Sequence, residues 1–545
     1  MDSMLLWAAL IGVAGGLCSA LFREANIALK ILLTGQSADI VAISESLSPA
    51  MRVLIPTLGG ILAGTALWLG GRWFKGMKSQ DYLEVIRLGD GVISVKPTVA
   101  RLVSSLLSIS SGSSIGREGG MVQFSALAAS TIGRGLGFSR PKLRLLVACG
   151  GAAGMASAYN TPLAGALFIA EIVLHSLAIE ALGPLIISAM TATLVIRHWI
   201  GLKPIFTSPD FGHAHQVDLL PVLGLGLIAG AIAPAFLAIL DGSRRWVQRL
   251  SLPLPVALGL GGLVVGLISV ETPEVWGNGH AVVEALLNET PTAQFVLTML
   301  ALKMLATTAA VSTGTVGGVF TPTLLIGACT GWLYSHGLHA VAPDLSPDTV
   351  SYAAVGMGAL LAGTTLAPVM AILMIFEMTL APDLLLPLMV ACVTSRYLAA
   401  AIRPVSVYAK SLGEVRTQLP YLMHVADLQT NPSAVVDLSA TAEQVSEIFC
   451  RSSTQSVWVV DEKGHYQGVI ALNNMKLFLG DTSLKALSAA MVFMEDDLPT
   501  VRPETALTEA LHLLLKHEAD RLPVVGSRRK LLGEITKHDA LLALA

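Results

Sequence analysis

A glutamate and a phenylalanine occupy equivalent places in two stretches of this 545-residue chain, and only one of the two can carry charge. The first stretch is Gly112-Ser113-Ser114-Ile115-Gly116-Arg117-Glu118-Gly119-Gly120; the second is Gly314-Thr315-Val316-Gly317-Gly318-Val319-Phe320-Thr321-Pro322. At an offset of 202, Gly112 falls on Gly314, Ser113 on Thr315, Gly116 on Gly318 and Glu118 on Phe320. Each stretch opens a long apolar segment. A carboxylate there is costly in a bilayer, so it points to function. The first amides of a helix have no intrahelical partner, and the helix dipole places about +0.5 charge on them. Glycines let an ion approach that backbone closely. Two such ends, at 116–120 and 318–322, would make an anion site from amides alone, without a lysine or arginine that would hold the ion too tightly to release. Ionised, Glu118 is itself an anion and can occupy the site; protonated, it can swing away and admit one. The competing reading is a glutamate that caps its own helix start.

The elements that must position these residues are apolar. Hydrophobic residues make up 53% of the chain and charged residues 13%, against about 25% charged in soluble domains. The pattern predicts helices near 4–32, 51–74, 97–109, 117–133, 142–156, 160–176, 180–200, 217–241, 254–270, 278–288, 295–311, 320–340, 351–364, 367–379 and 383–402. Many are shorter than the ~20 residues that cross a bilayer. Short, Gly- and Pro-broken helices imply irregular backbone lining a polar cavity. The run from Met4 to Phe22 reads as a first membrane helix and not as a removable signal. The duplication extends past the opening motif: Pro162 precedes Glu171 by nine residues, and Pro368 precedes Glu377 by nine. Transporter architecture predicts that such copies are inverted, with the site at their interface. Basic residues cluster at Arg72, Lys75 and Lys78, at Arg134, Arg140, Lys142 and Arg144, and at Arg244, Arg245 and Arg249, which places these loops in the cytoplasm. A net charge of −3 carries no nucleic-acid footprint. The five cysteines fit neither a disulfide framework nor a metal site, and the four in apolar segments read as buried thiols.

The chain changes character near residue 410. Residues 1–410 form the membrane part, with repeats at about 50–200 and 250–402; 411–422 read as a linker, and 423–545 as a soluble α/β unit. That unit is itself duplicated. Ser456–Asp461 and Gly468–Ala471 read as strand–turn–strand, and Arg521–Val525 with Gly533–Thr536 repeats the pattern at an offset of 65. A helix precedes each pair, at 442–450 and 506–517.

Residues 5–410 resemble the CLC family of chloride channels and proton-coupled chloride transporters. Gly116-Arg117-Glu118-Gly119-Gly120 is similar to the family's GREGP motif, with Gly120 in place of proline, and Gly318-Val319-Phe320-Thr321-Pro322 to its GIFAP motif. The tail, at about 423–482 and 487–545, resembles the pair of CBS modules that many members carry. The resemblance implies an all-α polytopic membrane fold with inverted repeats and broken helices, followed by an α/β CBS pair, in a homodimer with one pore per subunit. It implies chloride transport across the inner membrane, linked to protons and gated by protonation of Glu118, with the CBS pair in the cytoplasm and no cofactor required. It assigns anion contacts to the amides of Val319 and Phe320, to Tyr408, and, within the first motif, to Arg117 and Gly119. The family's earlier GSGIP motif falls at Lys78-Ser79-Gln80-Asp81-Tyr82, where Ser79 would supply the hydroxyl although its flanking Gly and Pro are gone. Thr536 and Asp539 resemble CBS positions that hold the ribose of an adenine nucleotide; the first module has Ala471 and Asn474 there, and a purely dimerising pair is the alternative.

One departure bears on mechanism. Coupled members carry an internal glutamate where this chain has Ile172. Glu171, one position away, points about 100° off along a helix, and its partner Glu377 gives both a structural reading. A passive channel, gated by voltage or pH, is therefore the alternative to exchange. An intramembrane metalloprotease would need His-Glu-x-x-His, and His517-Glu518 is followed by no second histidine at that spacing. A cation transporter would line its path with acids rather than amides.

Overall fold

The computed structural model describes residues 2–74, 81–87, 89–201, 206, 219–342, 348–408, 424–451, 456–472, 474–475, 488–489, 494–495, 498–517, 519–537 and 539–540. The chain divides into two compact units, Met1–Leu412 and Gly413–Ala545.

Among the described residues, the regular elements of the first unit are helices. Its first repeat holds α1 (Asp2–Thr34), α2 (Ile40–Ser46), α3 (Pro49–Trp73), α4 (Tyr82–Arg87), α5 (Val95–Ser110), α6 (Glu118–Gly135), α7 (Arg140–Tyr159), α8 (Pro162–Leu167) and α9 (Ile179–Ile200). The second holds α10 (Leu219–Arg249), α11 (Leu254–Ile268), α12 (His280–Asn288), α13 (Ala293–Ser312), α14 (Phe320–Val341), α15 (Thr349–Thr365), α16 (Pro368–Thr379) and α17 (Leu385–Ile402). Packing follows the duplication: α1 lies on α9 as α10 lies on α17, α3 on α5 as α11 on α13, and α6 on α7 as α14 on α15. The correspondence thus reaches past 50–200 and 250–402 to include α1 and α10. Among the described residues, six helices are long and apolar enough to cross a membrane. Leu6, Leu10, Leu17 and Leu21 form an exposed stripe at helical spacing on α1, as a lipid-facing surface requires.

Small residues let these helices close. A Cβ on Gly331 of α14 would stand 1.9 Å from the Tyr352 carbonyl of α15, the close backbone approach that membrane helices use in place of a hydrophobic driving force. Proline starts α8 and α16 at their first position, where its missing N–H costs nothing.

Two short helices depart from the sequence reading. α2 and α4 fall where no helix was expected, and both are held by outside contacts. Asp39 Oδ1 accepts from the Val41 amide at 3.0 Å, and Gln123 Oε1 accepts from the Tyr82 amide at 3.0 Å. The segment expected as one helix over 160–176 is α8 followed by a π-helix at Phe168–Leu174, which ends on His175 at φ 50. Its counterpart α16 is regular to Thr379 and ends on Leu380 at φ 53. The first copy has one more residue than the second between its glutamate and that left-handed end, and a π-turn is how a helix absorbs a single insertion. Cys149, Cys329 and Cys392 are buried as expected, whereas Cys18 is only half-buried.

Lys303 of α13 is fully buried, and its Nζ donates to the carbonyls of Val275 at 2.9 Å and Gly277 at 2.8 Å. These bonds fix the turn that lays Trp276 over Gly112, where a Cβ would meet the indole at 2.4 Å. Lys303→Met would leave both carbonyls without a donor in the interior. Its expected cost is about 2–4 kcal/mol, read as a lowered thermal midpoint of the detergent-solubilised protein; an unchanged midpoint would refute that role.

The second unit carries a four-stranded sheet in the order β1 (Val435–Asp437), β2 (Ser456–Val460), β3 (Tyr466–Ala471), β4 (Met494–Glu495), and a hairpin of β5 (Arg521–Val525) with β6 (Leu531–Thr536). Both hairpins bulge at the same place, between Val459 and Val460 and between Val524 and Val525, 65 residues apart. The chain crosses the boundary expected between 482 and 487. β4 completes the first sheet, while Val425 packs into the second core and Thr430 bridges to Glu534. Each module therefore borrows a segment from beyond its own repeat. Glu534 is buried and ties the two together: its Oε2 accepts from Trp458 Nε1 at 2.7 Å and from the Ser433 amide and hydroxyl at 3.0 Å each, and its Oε1 meets Arg521. Glu534→Ala, which leaves Arg521 without its counter-charge, should destabilise this unit by about 3–5 kcal/mol. The effect would be seen as faster amide hydrogen exchange across β2 and β5, and unaltered exchange would contradict it.

Candidate functional site

The two glycine-rich stretches meet. Gly112 and Gly314 take φ of 91° and 98°, so both loops turn the same way. Gly116 donates to the Gly318 carbonyl at 2.7 Å and Gly318 donates to the Gly116 carbonyl at 2.9 Å, an antiparallel pair. These two amides are thereby satisfied by each other, which leaves the amides beyond them in 116–120 and 318–322 as the candidates for an anion. Two residues beyond the pair on each chain, α6 begins at Glu118 and α14 at Phe320.

Glu118 is buried, and its carboxylate lies against its own amide and also reaches the opposite helix start. Oε1 accepts from the Phe320 amide at 3.0 Å and Oε2 from Thr321 Oγ1 at 3.4 Å. The Tyr159 hydroxyl bonds Thr321 Oγ1 at 2.7 Å and also faces the carboxylate. A negative group therefore sits on the positive end of α14. The two paired glycines make the room: a Cβ on Gly318 would lie 1.9 Å from Oε1, and one on Gly116 2.0 Å from Oε2.

The Phe320 ring points away from that carboxylate into aromatic packing, 5.0 Å from Tyr159 and 6.4 Å from Phe168 between centroids. Tyr408 packs edge-on against Phe168 at 5.5 Å. Glu118, Gly119, Val319 and Tyr408 line one cavity of about 430 Å³. Asp81, Arg101 and Arg244 line it too, with Arg101 and Asp81 paired at 3.5 Å. Arg117, expected with the others, instead lines a separate small cavity beside Arg23, because successive helix-start residues point to different sides. Ser79 lies outside the described residues. Sequence reasoning missed Tyr159, Thr321 and the Asp81–Arg101 pair, which no local spacing signals.

Glu171 and Glu377 have the structural role their pairing suggested, by a route not foreseen. Glu171 accepts from the Val369 and Met370 amides at 3.3 and 2.7 Å, and Glu377 accepts from the Leu163 and Ala164 amides at 3.0 and 2.9 Å. Each glutamate caps the helix start of the other repeat. Ile172 is buried in the π-helix. In the second unit, Thr536 Oγ1 donates to Asp539 Oδ2 at 2.7 Å and accepts from the Asp539 amide at 3.0 Å, so the two satisfy each other. Asn474 donates to Glu495 at 2.8 Å.

The fold of paired, broken-helix repeats is shared with known proteins. Residues 59–400 match the family described as voltage gated chloride channel, and residues 489–545 match the CBS domain. The chain belongs to that chloride channel family, the CLC proteins, and is a membrane protein. Curated relatives include a ClcB-like chloride channel protein of Ralstonia nicotianae, 47% identical over 417 residues covering 76% of this chain and 97% of the relative. Another is the voltage-gated ClC-type chloride channel ClcB of Citrobacter koseri, 39% identical over 425 residues covering 76% and 100%. The fold matches a slow cyanobacterial Cl−/H+ antiporter at TM-score 0.67 and 24% identity, covering 76% of this chain and 97% of the other. It also matches a eukaryotic CLC transporter at TM-score 0.67 and 17% identity, covering 98% and 97%.

Proposed function

We propose that this protein carries chloride across the membrane and that Glu118 is both its gate and its proton acceptor, so that chloride movement is linked to proton movement. The observation that carries the reading is the Glu118 carboxylate on the Phe320 amide. An ionised carboxylate there competes with chloride for the same helix end. Protonation removes its charge and with it the attraction to that end, so the side chain leaves and chloride takes its place on the Val319 and Phe320 amides, under the Tyr408 hydroxyl. Amides without a fixed cation bind the ion weakly enough to let it go. The sign follows: protonated Glu118 is the open form, so chloride flux rises as pH falls.

In this reading the protein is a homodimer of the inner membrane with its CBS unit cytoplasmic; the basic ends of α6 and α10 support a cytoplasmic orientation for the Arg244 side of the main cavity. Two channel-family relatives and an antiporter of like fold support anion transport. The buried Ile172 supports a second reading, a passive chloride channel gated by pH, because it offers no internal carboxylate to relay the proton. The CBS pair acts as a dimerising unit in this reading, with an adenine nucleotide at Thr536 and Asp539 as the alternative. The reversal potential in planar bilayers under combined chloride and pH gradients separates the two. A value that shifts with pH means exchange; one fixed at the chloride equilibrium potential means a channel and removes proton linkage.

A further inference from the structure

A second small cavity adjoins the site on the side away from the main one. It has a volume of about 30 Å³ and is lined by Arg23, Asn26, Arg117 and Ser157 with apolar neighbours. Its position follows from the path of α1. Trp7 packs edge-on against Phe138, just past the end of α6, while the Phe22 ring fills the space over Gly120 at the start of α6. Fifteen residues of α1 thus climb the length of α6, roughly 22 Å. Arg23 stands at the level of Glu118, on the face remote from the Arg134–Arg144 cluster.

The chemistry of the lining is one-sided. Arg23 and Arg117 face each other as like charges, and the exposed Glu24 acts on Arg23 more weakly than Arg117 does. Neither guanidinium pairs with a carboxylate among the described residues. The Ser157 side chain is 3% exposed, and its hydroxyl oxygen has no hydrogen-bond partner. Asn26 is oriented by its bond from Nδ2 to Ser110 Oγ at 3.1 Å. Two facing guanidiniums and an orphaned hydroxyl around a space of one small sphere lack one thing, a compact negative charge. A space this small favours a compact ion over a bulky one.

We propose that this cavity is a second binding site for a single monatomic anion, chloride or bromide, held by Arg23, Arg117 and the Ser157 hydroxyl on the outer side of Glu118. The inference rests on the chloride-transport reading above. Arg117 and Glu118 are adjacent in sequence, so an anion held here waits one residue from the gate and moves in when the carboxylate leaves. Unlike the amide site, this one has fixed positive charge, which suits capture rather than passage.

The test uses the full-length protein and bromide as the probe. Anomalous diffraction from crystals grown in bromide should show a peak among Arg23, Arg117 and Ser157, and Ser157→Ala, which conserves the fold's volume, should weaken it. In liposomes of known orientation, Arg23→Gln should raise the outside chloride concentration needed for half-maximal flux by roughly tenfold, the loss of one charge-assisted contact, and leave the inside value unchanged. Bromide confined to the main cavity, or a shift equal on both sides, overturns the proposal. A parent protein that carries no chloride at all would instead overturn the transport reading on which it stands.

Discussion

Glu118→Gln should keep chloride moving and stop protons moving with it. The glutamine side chain has the size of the protonated acid but carries no proton to deliver and no charge to hold it on the Phe320 amide. In liposomes with an outward chloride gradient, the parent should alkalinise the outside medium, because chloride leaving by exchange drives protons inward. The variant should lower that proton signal at least about tenfold, on the scale of losing a group essential to proton transfer, while chloride release continues. The pH dependence of chloride flux should flatten as well, because the carboxylate bonded to the α14 start is gone. Should the variant move protons and chloride as the parent does, Glu118 is not the gate.

Gly318→Ala gives the second large effect, and it leaves the carboxyl group in place. The new methyl group would stand 1.9 Å from Glu118 Oε1, far inside contact distance. The cheapest relief is for the far end of the flexible glutamate to leave, since the Gly318 backbone is fixed by its pair with Gly116. The displaced carboxylate can no longer shut the path when ionised, so chloride flux at high pH should approach its low-pH value. If the backbone yields instead, the Gly116–Gly318 pair breaks and thermal stability falls with no gain in high-pH flux. Flux that remains as pH-dependent as in the parent, at unchanged stability, would show that the carboxylate does not sit where the glycines admit it.

Much of the membrane architecture was legible because lipid leaves a strong record in sequence. Long apolar runs, prolines at helix starts and the register of Glu118 on Phe320 located the helices and the opposed ends. The short helices α2 and α4 were not legible, since each owes its conformation to a cap or a distant glutamine rather than to its own apolar pattern. The site was legible only along the chain. Glu118 and Phe320 could be aligned, but the direction in which the carboxylate reaches, and the Tyr159–Thr321 bond 162 residues apart, depend on how the copies face each other. The glycines were read as room for an ion; two of them turned out to pair backbone to backbone. Arg117 belongs to the same motif as Gly119 yet lines a different cavity, a difference that sequence adjacency does not show.

The crossed caps have a consequence for how the molecule is made. The amides of Leu163 and Ala164 find their acceptor in Glu377, and those of Val369 and Met370 in Glu171. During synthesis more than two hundred residues emerge after the start of α8 before its acceptor exists. The nascent first half must therefore wait in the translocon or the bilayer with that helix end hydrated, and it closes only when the second half arrives. A chain that ends before α16 therefore lacks the acceptor for the start of α8.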